Sequence, residues 1–492
     1  MTYRQKKYRR RKRKKKRLLY AIKRRDLSLI AQLLNHDDAD VDSNVDANLQ
    51  DKGRTILMIA SKWGYWDVVK LLLDCKEIDV NLQDENGWTA LMIAYLNGYW
   101  YVVKLLLDCK EIDVNLQYEN GWTALMWACI DGDWDVVNQM LDCKEIDVNL
   151  QDEDGKTALM HASKYGRVDV VNRLLDYKEI DVNSQDKNGM TALMIASRLG
   201  NCNVVNWLLD CEKIEVNLQD EYGKTALMIA SGWGRVDVVN RLLYCKEINV
   251  NLQDNNGKTA LMHASRLWNC NVVKQLLECK KTDVNLQDKN GMTALLTASR
   301  YGHLDFVNQL LNYKEINVNF QNNKDMTALM AASRYGNLYV VNRLLYCKEI
   351  DVNLQDNNGD TALMKSALSN HLDVVNRFLE CKEIDVNLQN NIGSTALIMA
   401  SQYGYLDIVD RLLNCKEIDI NLQNIHIYKK KLKRTALIIA SQNGHVDVVN
   451  RLLNWQKTQI REGFELKYFQ DSVNIPKDLI CLIIEFSIGF VV

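Results

Sequence analysis

"LDCKEIDVNLQDENGWTALMIA", residues 73–94, recurs almost letter for letter along most of this 492-residue chain. Its threonine returns at Thr55, Thr89, Thr123, Thr157, Thr191, Thr225, Thr259, Thr293, Thr327, Thr361 and Thr395, each 34 residues after the last, and once more at Thr435 after 40. A fixed period of this size means stacked supersecondary units, each covering its neighbour's apolar side. Asn86-Gly87 is a turn signal, because both residues accept positive φ. Thr89 is placed to cap a helix with its hydroxyl. Ala90–Ala94 supply that helix, and Gly98 can end it in a left-handed conformation. Val102, Val103, Leu105, Leu106 and Leu107 form the apolar side of a second helix. The expected fold is therefore all-α, with short hairpin loops between helix pairs.

The tetratricopeptide repeat shares the period and the two helices, but lacks the turn followed by "G-x-T-A-L" and the closing "D-V-N" seen here. Those features, in twelve copies over residues 18–454, resemble the ankyrin repeat. The resemblance implies a solenoid of helix pairs with protruding hairpins and a partner-binding concave side. "LLYAIKRRDLSLIAQLL" (18–34) is similar to a half-repeat N-terminal cap. The chain also departs from the family. Its "T-P-L-H" becomes "T-A-L-M", so proline's pre-set φ at the first turn is lost. Met92 and its counterparts stand where the family's bridging histidine would be. More of the stability is accordingly expected to come from packing and less from a hydrogen-bond ladder. The helix-ending glycine is missing at Trp268 and Asn370; asparagine tolerates the left-handed region, which makes the Trp268 unit the candidate weak joint.

Composition narrows the function classes. Residues 1–17 hold twelve of the 62 Lys/Arg and no acid, leaving 50 basic against 63 acidic residues in the rest. Arg9, Arg10, Arg11, Lys12, Arg13, Lys14, Lys15, Lys16 and Arg17 thus form a basic tail that cannot fold on its own. It suits nuclear import, sequence-independent phosphate contact or an anionic membrane surface, or docks on the acidic body as a solvated arm. It is also the only expected route to nucleic acid. Nothing resembles a secretion signal, and the longest apolar stretch, Leu479–Val492, is too short and too charged to span a bilayer. Nine of thirteen cysteines share one repeat position, where Tyr177 and Tyr313 also stand. No metal ladder takes tyrosine in that way, and stacked helices ~8–10 Å apart exceed disulfide reach. Free thiols fit a reducing, intracellular compartment, the cytoplasm or nucleus. The seven histidines read as scattered over unrelated repeat positions, and the acids of "KEID" and "QD" as a solvated face. With no phosphate loop, nucleophile elbow or metal motif, neither enzyme activity nor a cofactor is expected.

What remains is binding. Variation between copies gathers just before the capping threonine and just before the helix-ending glycine, positions that line the concave face by resemblance. They read Trp88, Trp122, Lys164, Tyr165, Arg198, Trp233, Arg266, Arg300, Tyr301, Arg334 and Tyr335, a composition typical of protein-interaction surfaces. A basic stripe of this kind suits an acidic partner; drift towards soluble side chains is the plainer alternative. Trp88 and Trp122 are expected to be more exposed than Trp66, Trp100 and Trp134, whose shared slot suggests ordinary packing.

After Leu453 the repeat stops. In segment 455–492, "NIPKDLICLIIEFS" resembles the opening helix of an F-box through Pro476, Leu479 and Ile483; an apolar cap on the last unit is the competing reading. The near-identical copies and scarce proline are similar to the ankyrin-repeat proteins of giant amoeba-infecting, mimivirus-type DNA viruses. The resulting expectation is a monomeric, non-catalytic viral scaffold that binds a host protein. The alternative is a ubiquitin-ligase substrate receptor that engages a Skp1-like adaptor.

Overall fold

A computed structural model describes residues 3–34, 47–266, 270–425 and 433–461. The chain forms two compact units, Met1–Ala230 with Asp237–Asn249, and Ser231–Val236 with Val250–Val492. Both are built from helix pairs; the only strands among the described residues are two short antiparallel ladders.

In the first unit, the helix Ala90–Leu96 is followed by Trp100–Leu107, and the same pair recurs as Ala124–Asp131 with Trp134–Leu141 and Ala158–Tyr165 with Val168–Leu175. The second unit repeats it, for example as Ala294–Tyr301 with Leu304–Leu311 and Ala328–Arg334 with Leu338–Leu345. All twelve threonines cap as expected: each hydroxyl accepts from the backbone N–H three residues on, at 3.2–3.5 Å. First helices are buried nearly all round, as Ala90, Leu91, Met92 and Ala94 show. Second helices bury only one stripe, Val102, Val103 and Leu106 in this copy. Each such side chain contributes roughly 1.5–3 kcal/mol of burial. Between the two helices the chain turns through Gly98 at φ +73°. Asn370 takes the same left-handed region at φ +59°, as the sequence suggests.

The ladder expected to weaken with the loss of histidine is carried instead by asparagine, glutamine and backbone groups. Asn81 donates its Nδ2 to Glu111 O at 2.7 Å and accepts from Asp113 N at 2.8 Å, bridging to the next copy. Gln83 Nε2 reaches Gln117 O at 2.8 Å, and Glu119 N donates to Asn86 O at 3.1 Å. The asparagine bridge returns at Asn115 and Asn149 in the first unit and at Asn285, Asn319 and Asn353 in the second. A primary amide both donates and accepts, so one asparagine in "D-V-N" does what the absent histidine would have done. The reading of "QD" as solvated also fails. Asp152, Asp186, Asp254, Asp288 and Asp356 are buried, because each carboxylate collects two backbone N–H groups of its hairpin turn. Lys76, Glu77 and Asp79 of "KEID" are exposed.

The basic run is not a separate unfolded segment: it forms the start of one helix, Tyr3–Arg24. Lysine and arginine are good helix formers, and the helix is anchored where Leu18, Ala21 and Ile22 are fully buried. Lys15 Nζ donates to Gln50 O and lies 3.9 Å from Asp51, while Lys12, Arg13, Lys16 and Arg17 are exposed. At the other end the helix Val446–Arg461 runs past the expected boundary, and Trp455 Nε1 donates to Leu413 O at 2.8 Å. The insert near Thr435 closes on a ladder of Asn424–Ile425 with Lys433–Arg434. Its tip, Trp268, the side chains of Arg9, Arg10 and Arg11, and the F-box-like Pro476, Leu479 and Ile483 lie outside the described residues.

Candidate functional site

The variable positions sit on the hairpin turns and first-helix ends, on a frame held by buried threonines and turn aspartates. In the first unit Lys164, Tyr165 and Arg198 are exposed, with Lys164 Nζ 5.2 Å from the Tyr165 ring. In the second, Trp233, Arg266, Arg300, Tyr301, Arg334 and Tyr335 are all exposed. The Arg300 guanidinium lies 5.9 Å from the Tyr301 ring and 5.4 Å from Tyr335 of the following copy. A cavity of about 180 Å³ opens beside it, between Lys258, His263, Arg266, Asp288, Met292 and Tyr301.

The two tryptophans singled out as anchors behave otherwise. Trp88 is half-buried and stacks on Tyr118 at 4.6 Å; Trp122 lies 4.7 Å from Trp127 and 4.5 Å from His161. Trp66, Trp100 and Trp134 are the more exposed set, at 45–51%. The reason is helical phase: these residues open the second helices, and the positions two, three and six residues later are the ones that face the stack in all three, joined by Leu141 in the third.

Five of the seven histidines fall into two repeat slots rather than being scattered; His36 and His426 lie outside the described residues. His161 and His263, 102 residues or three repeats apart, occupy one slot, and each Nε2 lies 2.9 Å from its own turn aspartate, Asp152 or Asp254. His371 and His445 share another slot, where Nε2 meets a carbonyl oxygen of the preceding copy, Arg334 O or Gln402 O. Burial outweighs Asp152 and holds the His161 imidazole below its usual range. In the slot of His161 the third-last copy carries Lys365, whose Nζ is 2.6 Å from Asp356 and 2.7 Å from Asp360 with all three side chains buried. Sequence reasoning missed this cluster. Its signal was legible: "DNNGDTALMK" is the copy that places an acid before the threonine and a lysine four residues after it. Tyr118 and Trp127 hold the same two slots as Asp152 and His161, so a ring pair replaces an ionic one.

Burial pushes the thiols of Cys109, Cys143, Cys245, Cys347, Cys381 and Cys415 up, so they stay protonated.

The profile described as ankyrin repeats (3 copies) matches residues 18–118, 76–152, 125–220, 193–288, 261–356 and 340–424, and that for a single ankyrin repeat matches 433–458. The chain belongs to the ankyrin-repeat family. No curated protein matches it. Ankyrin repeats are protein-interaction scaffolds, and the exposed variable positions lie on the hairpins and first helices of these repeats. Among the described residues no helix is long and apolar enough to cross a membrane.

Proposed function

We propose that this ankyrin-repeat protein is a non-catalytic scaffold that holds a protein partner on the face formed by its hairpins and first helices. One observation carries the reading. The copies share a nearly constant buried frame, while their exposed first-helix ends carry Lys164, Tyr165, Arg198, Trp233, Arg300, Tyr301, Arg334 and Tyr335. Tryptophan, tyrosine and arginine are enriched among the few residues that carry most of the binding energy at protein interfaces. Trp88 and Trp122 pack against neighbouring rings and are better read as a stiff floor than as protruding anchors.

The test is quantitative capture from extract with the tagged full chain. The face is altered by K164A/Y165A in the first unit and Y301A/Y335A in the second. The control is Y244A/Y339A, which removes two still more exposed rings, at 82% and 74% exposure, one just past the end of a second helix and one on a second helix. Partners lost from the face variants and retained by the control support the reading. An unchanged partner set, or equal loss in both, refutes it.

A further inference from the structure

We propose that the arginine row of the second unit binds an acidic partner segment in extended polyproline II form, with a carboxylate at every third residue. This rests on the partner-binding reading and specifies its chemistry. Arg266, Arg300 and Arg334 occupy one slot in three successive copies, and all are exposed. None of the three guanidinium groups has an acidic partner among the described residues. Arginines on the second helices behave differently: Arg173 pairs with Asp142, Arg241 with Asp210 and Arg451 with Asp410. Outside residues 1–17 the chain has 63 acids for 50 bases, so three unpaired cations in one row are not forced by a shortage of carboxylates.

Local geometry favours an anionic ligand. The cavity beside Arg300 is lined by the cations Lys258, Arg266 and Arg300. Its one carboxylate, Asp288, is occupied by Asn290 N and Met292 N, and His263 is engaged by Asp254. Tyr301 and Tyr335 hold the Arg300 guanidinium between successive copies, which lowers the cost of ordering it on binding. Met262 and Met292 offer adaptable apolar contact.

Spacing then selects the ligand's conformation. Stacked helices stand ~8–10 Å apart. A polyproline II chain has three residues per turn and rises ~3.1 Å per residue, so residues three apart point the same way ~9.3 Å apart. One carboxylate per arginine follows. A β-strand turns alternate residues to opposite sides, and its every-third acids would miss. A guanidinium takes a carboxylate with two parallel hydrogen bonds, which makes the match sensitive to register.

The experiment titrates the full chain into a labelled peptide of five Glu-Pro-Ala repeats, read by fluorescence anisotropy. The comparison peptide has the same composition with its glutamates contiguous. The expected result is at least tenfold tighter binding of the spaced peptide. R266Q/R300Q/R334Q should lose at least tenfold, and R300Q alone about threefold, with circular dichroism unchanged; R300Q serves if the triple variant misfolds. Equal binding of both peptides overturns the proposal. So does binding that survives the arginine substitutions, which would assign the peptide to the basic helix Tyr3–Arg24. Tighter arginine-dependent binding of a single-stranded oligonucleotide than of the spaced peptide also overturns it. If extract capture depends on the face but spacing has no effect, this inference falls and the scaffold reading stands.

Discussion

Lys365→Met removes the ammonium from a site where two carboxylates share it. Nζ lies 2.6 Å from Asp356 Oδ2 and 2.7 Å from Asp360 Oδ2, and the three side chains are 7%, 4% and 10% exposed. At these separations each attraction is worth ~6 kcal/mol at an effective permittivity of ~20, most of it cancelled by the cost of taking three charges out of water. Removing one partner leaves that cost without its compensation, and the expected loss is about 3–5 kcal/mol. The chain contains its own control. In the Thr191 copy the equivalent slots hold Asp186, Met190 and Ile195, and the aspartate is satisfied by its turn amides alone. D360M/K365I recreates that set around Asp356, so it should recover all but ~1 kcal/mol, the remainder being the lost Asn390 Nδ2–Asp360 Oδ1 bond at 2.7 Å. Repeat arrays open locally, so the appropriate assay is hydrogen exchange in the helix Ala362–Leu368, supported by urea unfolding. A single variant within 1 kcal/mol of the parent, or a double variant no better than the single, would refute the reasoning.

Two further outcomes follow from the frame. Asn149→Ala removes the bridge to Glu179 O and leaves Asp181 N unpaired, both bonds being 2.8 Å, and should cost about 1–3 kcal/mol. Faster exchange of the Asp181 amide, with the Asp147 amide and its bond to Asn115 unaffected, checks it. His161 is held below its ordinary range by burial despite Asp152. The unfolded chain therefore takes up the proton first, and stability falls as pH drops below ~6.5 towards the folded value. His161→Ile, the residue that stands beside Asp186 at Ile195, should remove this acid sensitivity between pH 7 and 5 in thermal melts. Equal sensitivity in both proteins would contradict the assignment.

The repeat length, the all-α architecture, the threonine caps and the left-handed turns were all written in the sequence. Each depends on residues within one turn of the chain: a hydroxyl three residues from an amide, or a residue that tolerates positive φ. The family followed from the same local phrase. The aligned histidines and the acid–lysine pattern around Thr361 were legible too, once slots were compared copy by copy. What the stacked structure alone decided was the behaviour of side chains between copies. Whether Asn81 is solvated or bridges Glu111 and Asp113 depends on a neighbour some thirty residues away. So does the difference between Trp88, covered by Tyr118, and Trp100, left half in solvent. Local pattern sets the phase of each helix, but exposure and pairing at its ends depend on what the next copy lays against it.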